Sequence, residues 1–241
     1  MAVSNPADDW IARTCPGRSF ADIGGLWGLV NEKASVAMRA GAAAVTMIDI
    51  LPQTNQLWAD FLARLVRLGV PPCACATLDA TRQDFPRSAG AFDVVHCSGI
   101  LYHLPSPMCL IENLWSITGE ILILTAMTSP DRIENDAGVL DLSGGLAAYI
   151  PGLSGKAAAV VRRHFELLDL HVHAITADMG QRWYAGSIAN FTPWWWIVTP
   201  SLLRSMVETI GFEVLDMFEP WKHRSTAVVC RKPAKLARPA P

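Results

Sequence analysis

The feature that most constrains this chain is a rhythm of short apolar segments separated by amphipathic stretches. Strands are predicted at residues 19–23, 44–48, 73–78, 92–97 and 120–125, with helices at 29–40, 56–68 and 107–115 between them. A strand followed by a helical stretch and another apolar strand is the signature of βαβ units, which place strands side by side in parallel. Gly69 closes the second helix, and Ser106 opens the third as N-cap with Pro107 at N1. The five strands are expected to be buried on both faces, with helices on either side of the sheet.

After Thr125 the rhythm stops. Residues 126–198 mix Gly, Pro, Asp and aromatic residues around one predicted helix at 155–168. A stretch of that length is too long for a structureless loop, so it is expected to be an insertion after strand five that caps a substrate. Order returns at Thr199-Pro200, an N-cap and N1 pair for a helix ending at Gly211, followed by strands at 213–218 and 226–231. The tail 232–241 is expected to be disordered. The whole reads as one α/β domain over 1–241 with a seven-stranded, mostly parallel sheet.

Composition narrows the function. With 51% hydrophobic and 17% charged residues the chain is globular, and no apolar run approaches the ~18 residues of a membrane span. The first ten residues hold two Asp and no basic apolar leader, so a cytoplasmic location is expected. The six cysteines form no paired CxxC clusters, which argues against structural zinc and for reduced thiols. A formal net charge of −2 lacks the basic excess that nucleic-acid binding requires, so a small-molecule acceptor is favoured. A homo-oligomer is left open.

The most informative stretch is Phe20-Ala21-Asp22-Ile23-Gly24-Gly25-Leu26-Trp27-Gly28, a strand ending in an acid and turning through glycines toward a helix. Glycines there let the backbone pass close under a ligand. The spacing fails the dinucleotide pattern G-x-G-x-x-G, because Leu26 occupies the second glycine's place. Asp22, just before the loop, suits a ligand carrying an amino group. This motif resembles that of class I S-adenosylmethionine-dependent methyltransferases, in which an acid precedes a glycine-rich loop.

The following strand ends extend the resemblance. Strand two ends at Asp49-Ile50, where a carboxylate can accept both ribose hydroxyls. Strand three ends at Asp79-Ala80, which in the family receives the adenine. Strand four ends at Cys97-Ser98 and continues through Leu101-Tyr102-His103, like the family's fourth motif. The resemblance implies a Rossmann-like methyltransferase fold, S-adenosyl-L-methionine as cofactor, and a donor site built from Asp22, Gly24, Gly25, Leu26, Gly28, Asp49, Ile50, Asp79, Ala80, Cys97 and Ser98.

Within the family, the Leu101-Tyr102-His103 segment with its Ser-Pro helix start is similar to wobble-uridine tRNA carboxymethyltransferases and their small-molecule relatives. Those tRNA enzymes carry an added N-terminal region, whereas eighteen residues precede the first strand here. A tRNA-modifying enzyme and a non-catalytic S-adenosylmethionine binder are the rival readings. His103 is the candidate general base for a hydroxyl acceptor, or else it supports the helix that follows. His171 and His173 could ligate a metal from one strand face, but no third ligand accompanies them and no metal is expected. Three adjacent indoles, Trp194, Trp195 and Trp196, cannot all face one core, so with Tyr102 they are candidate substrate contacts or else an interface. Arg132, Arg162, Arg163 and Arg182 could meet an anionic acceptor or simply be solvated.

Overall fold

The computed structural model describes residues 5–27, 32–153, 155–170 and 194–234. In chain order the first half runs α1 (Pro6–Thr14), β1 (Ser19–Ile23), α2 (Ala34–Arg39), β2 (Ala44–Asp49), α3 (Gln56–Arg67), β3 (Ala74–Thr77), α4 (Phe85–Ala89), β4 (Phe92–Ser98), α5 (Pro107–Ile117) and β5 (Thr118–Met127). The second half holds β6 (Arg132–Asn135), β7 (Gly138–Asp141), β8 (Ala148–Tyr149), α6 (Gly155–Leu167), β9 (Trp196–Ile197), α7 (Pro200–Ile210), β10 (Glu213–Phe218) and β11 (Ser225–Arg231).

Seven strands form one sheet in the order β10-β11-β5-β4-β1-β2-β3. β1 pairs in parallel with β2 and β4, while β11 pairs antiparallel with both β5 and β10. β11 is thus the one strand of this sheet that runs against the others, and the expected seven-stranded, mostly parallel α/β sheet is present. Alternate side chains of each strand serve opposite faces. Phe20 of β1, Met47 of β2 and Val94 of β4 pack with Ile11 of α1, Ala37 of α2 and Trp58, Phe61 and Leu65 of α3. Ala21 and Ile23 of β1 face the other core, shared with Leu110, Ile111 and Leu114 of α5 and Leu203 and Val207 of α7.

Local signals account for most element ends. Asn55 caps α3 by accepting from the Leu57 N–H, and Gly69 follows at φ +65, a conformation that favours glycine. Thr199 caps α7 by accepting from the Leu202 N–H, and Gly211 ends that helix at φ +114.

Several expectations need correction. Ser106 precedes α5 but its side chain makes no capping bond; Pro107 alone marks the start. Described helix in the 29–40 stretch begins only at Ala34 and ends at Arg39. β3 is the sheet's edge and only half-buried, so it is not covered on both faces. α1 and α4 were not anticipated; both are short and begin near a proline, at lengths where periodicity is weak. The 126–198 stretch contributes its first two residues to β5, then forms the β6–β7 hairpin against α6, and its Ile150, Val161, Phe165 and Trp194 join the sheet's own core. Lys232, placed in the expected disordered tail, is anchored: its N–H donates to Glu120 O and its ammonium to the carbonyls of Trp115 and Thr118.

The α7 cap offers a direct check of this account. Thr199→Ala should lower stability by about 1 kcal/mol, read as a lower urea midpoint with an unchanged m-value, while Thr199→Ser stays near the parent.

Candidate functional site

Strand order reverses between β1 and β4, and in open α/β sheets the crevice beyond the strand tips at such a point is where ligands bind. The tips are level there. Ile23 of β1 lies beside Ile48 and Cys97, Asp49 beside Thr77, and Ser98 beside Thr125. The residues singled out from sequence at four strand ends therefore converge on one edge.

Gly24 makes the turn out of β1. Its φ is +77, its N–H donates to Ile48 O (2.9 Å), and a Cβ there would fall 2.6 Å from Ile100 Cδ1 and 3.2 Å from Ser98 O. Only glycine fits that place. A Cβ on Gly25 would sit 2.7 Å from Asp22 Oδ2, so the loop backbone rests directly on that carboxylate.

Two acids stand at the next tips. Asp49 is almost sealed, its Oδ1 accepting from the Leu51 N–H (3.0 Å). Burial pushes its carboxyl above the usual range, against the lowering effect of the Leu51 and Ile50 amides, and the nearby Asp22 adds to the rise. Asp79, half-buried, accepts from the Thr81 N–H (2.9 Å) and Thr81 hydroxyl (2.6 Å), a turn that leaves its Oδ2 clear of those bonds. Ile50 is half-buried beside Asp49, and Ala80 is buried with its carbonyl held by Asn113 Nδ2 (2.8 Å).

Three expected donor contacts point inward instead. Asp22 is fully buried, and its oxygens receive the Lys33 N–H (2.7 Å), the Ala34 N–H (3.0 Å) and His96 Nδ1 (2.8 Å). These partners all lie within the protein, so it braces the loop from within. Leu26 turns its side chain into the core with Ile11 and Trp58, filling the space that another glycine would leave empty. Cys97 is sealed in the opposite core, its thiol pushed up by burial and by Asp22. Ser98 lies at the tip itself, nearly buried. Gly28 lies outside the described residues.

The candidate substrate residues gather at the exit from β4. The 3-10 turn Leu101–His103 stacks Tyr102 against His103 (centroids 4.3 Å) and against Trp194 (4.5 Å). Trp194 is buried between Tyr102 and Phe165, and His103 meets it edge-on at 6.2 Å. A Cβ on Gly99 would lie 3.9 Å from the Tyr102 hydroxyl, which places that phenol beside the tip of β4. Trp195 and Trp196 stay half-exposed around Tyr149, at 6.1 and 5.1 Å. The Trp195 backbone ties the parts together: its N–H donates to Tyr102 O (2.8 Å) and its O accepts from the Ile150 N–H (2.9 Å). Trp196 Nε1 donates to Pro105 O (3.2 Å).

The described arginines of the 126–198 stretch are paired or exposed. Arg132 pairs with Glu134 (3.2 Å) and Asp141 (3.7 Å), and Arg163 with Asp136 (2.8 Å) and Glu166 (3.4 Å), while Arg162 is exposed. Arg182, His171 and His173 lie outside the described residues. Among the described residues no three His, Cys, Asp or Glu side chains come together as a metal site, and no helix is long and apolar enough to cross a membrane.

Sequence reasoning missed the residues that brace the loop. Glu32 is buried, accepting from the Ser35 N–H and from Arg64 Nε (3.0 Å), and Lys33 forms a 2.6 Å ion pair with Asp8 of α1. Nothing in their spacing announces this. His96, by contrast, is a histidine inside an apolar strand, and that anomaly was legible.

No protein-family model matches the sequence, and no curated protein sequence matches it. Solved structures do. A putative methyltransferase from Bacillus halodurans C-125 is 14% identical with a TM-score of 0.58, over 96% of this chain and 99% of that one. Magnesium protoporphyrin IX methyltransferase from Synechocystis PCC 6803, with bound S-adenosylhomocysteine, is 16% identical with a TM-score of 0.57, over 95% and 81%. SpnF, a cyclase of the 4+2 type, is 14% identical with a TM-score of 0.55, over 95% and 80%. The chain has the fold of the class I S-adenosylmethionine-dependent methyltransferases.

Asp49 yields a test in which stability and binding move apart. Its raised pKa means the ionised form costs the folded state free energy, a cost absent below the ordinary Asp pKa of about 3.9 and complete only above the raised folded value. Asp49→Asn should therefore melt at or above the parent temperature at pH 7–8 without ligand, with the difference shrinking toward pH ~4. The same variant should bind S-adenosylhomocysteine at least about tenfold more weakly by calorimetry, the loss of a charge-assisted bond.

Proposed function

We propose that this chain transfers the methyl group of S-adenosylmethionine to a small-molecule acceptor at oxygen or nitrogen. The observation that carries this is the convergence, at the switch point of the sheet, of a tightly packed glycine turn at positive φ with carboxylates at the next two strand tips. A ribose diol needs an acceptor pair and an adenine amino group needs a carboxylate or carbonyl, and Asp49 and Asp79 offer these in strand order. Gly24 and Gly25 let the loop pack its backbone tightly on Ile100, Ser98 and Asp22, which holds the turn at the strand tips where the donor is proposed to lie.

When bound, S-adenosylmethionine supplies a methyl group on a positively charged sulfur, and the C–S electron pair returns to sulfur as the acceptor's lone pair takes the methyl. The protein's tasks are then alignment and exclusion of water. Tyr102 and Trp194 close one side of the β4 exit with packed aromatic surface. Trp195 and Trp196 extend that surface outward with Tyr149 as the acceptor wall. His103, in the same turn, takes the proton of a hydroxyl acceptor as its oxygen is methylated. The donor and acceptor halves meet at Ser98 and Gly99.

The test has a binding arm and a turnover arm, because the cyclase neighbour demonstrates that this fold hosts more than one reaction. Calorimetry should find micromolar binding of S-adenosylmethionine and S-adenosylhomocysteine, and a panel of phenol, carboxylic acid and amine acceptors with isotopically labelled donor should give labelled product for one class. Absence of donor binding at millimolar concentration would sink the proposal; binding without transfer to any class would favour a non-catalytic binder. Unmodified tRNA should bind weakly or not at all at physiological salt, and submicromolar, salt-sensitive binding would favour the tRNA-modifying reading instead.

The indoles separate further. Trp194→Ala should cost ~3 kcal/mol or more of stability, because a buried ring leaves a cavity. Trp195→Ala and Trp196→Ala should leave melting and donor affinity near the parent while lowering turnover or raising the acceptor KM. Equal loss of all three properties in the latter two variants would make the run purely structural.

A further inference from the structure

His96 sits in the middle of β4 between Val95 and Cys97, buried, in direct register with Asp22 of β1. An apolar side chain is the ordinary occupant of such a position. Its Nδ1 lies 2.8 Å from Asp22 Oδ1, and since an ionised carboxylate only accepts, the shared proton belongs to His96 Nδ1. Among the described residues no lysine or arginine pairs with Asp22; its other oxygen takes the backbone N–H groups of Lys33 and Ala34 at the start of α2. That same oxygen is the atom a Cβ on Gly25 would strike. The orientation of one carboxylate therefore touches both arms of the glycine loop, the outgoing one at Gly25 and the returning one at Lys33 and Ala34.

We propose that His96 is a positioning residue for the donor site: by holding Asp22 Oδ1 it locks the carboxylate so that Oδ2 fixes the glycine loop where α2 begins. This rests on the methyl-donor reading above. Removing the His96 donor leaves a buried anionic oxygen without a partner. Asp22 then relieves itself by rotating or by drawing in water, and either movement releases Lys33 and Ala34. His96 touches neither the acceptor wall nor the Tyr102 turn among its hydrogen bonds, so its effect falls on the donor alone.

Two substitutions separate positioning from packing. His96→Leu fills the space without a donor, whereas His96→Asn presents an N–H near the position of Nδ1. Hydrogen exchange, measured without ligand, should show the amides of Lys33 and Ala34 at least about tenfold less protected in His96→Leu, with β5 and α5 unchanged. Affinity for S-adenosylhomocysteine should fall by about tenfold in that variant and recover to within about threefold in His96→Asn. Parent-like exchange at Lys33 and Ala34 in His96→Leu overturns the proposal, as does a uniform loss of protection in both variants, the mark of a merely structural histidine. If His96→Leu does not fold, His96→Asn alone decides: local protection retained with parent affinity supports the proposal, and uniform loss overturns it. A parent protein that binds no donor removes the methyl-transfer reading, while the exchange arm still judges His96.

Discussion

A carboxylate with no solvent exposure and no lysine or arginine partner is one of the costlier things a fold can contain. Among the described residues Asp22 is such a group, and this edge of the sheet is arranged around satisfying it. Two backbone amides and one imidazole N–H converge on its two oxygens, so α2 must start where those amides can reach and β4 must present a donor in register. The loop between β1 and α2 then has both of its described arms fixed before any ligand arrives. Glu32 with Arg64 and Lys33 with Asp8 brace the same stretch against α3 and α1. A ligand that meets a site ordered in advance loses less conformational freedom on binding.

The sheet was legible because burial on two faces writes itself as apolar runs bounded by Gly, Pro and Asp. β1, β2, β4 and β11 fall within a residue of their predicted ends for that reason, and the edge strands β3 and β10 match as closely without that burial, bounded by their turn residues. What the pattern cannot carry is the third dimension. Asp22 reads as an acid before a glycine loop whether it faces a ligand or an amide, and only the register of β1 with β4 reveals His96 beside it. Leu26 likewise reads as a substituted glycine, while its buried side chain makes it part of the core beneath the loop. The three indoles are the opposite case. Their crowding alone required at least one to leave the core, and Trp195 and Trp196 are half-exposed while Trp194 is enclosed.

Asp49 illustrates why a binding edge is not a stability optimum. A buried acid whose carboxyl is pushed upward by desolvation is a liability to the empty fold, tolerated because amides of the chain and, in the proposed complex, ligand hydroxyls share its charge. Asp22 solves the same difficulty with internal partners and so is committed to structure. Two aspartates at neighbouring strand tips thus differ in role through what remains unsatisfied, and not through residue type.

The two halves of the crevice are held in different ways, and that difference bears on specificity. On the side proposed for the donor stand backbone turns and short acids at strand tips, whose positions follow from strand register. On the side proposed for the acceptor stand large side chains from a segment far along the chain, joined to the β4 exit by the Trp195 backbone bonds to Tyr102 and Ile150. Those bonds set where the 148–152 and 194–197 segments lie but do not depend on which side chains they carry. Replacement of Tyr149, Trp195 or Trp196 can therefore reshape the outer surface while the main-chain stitching keeps it beside the Tyr102 turn. Under the proposed function, the acceptor would be chosen by side chains mounted on a fixed backbone, and selectivity could change without disturbing the strand-tip loop.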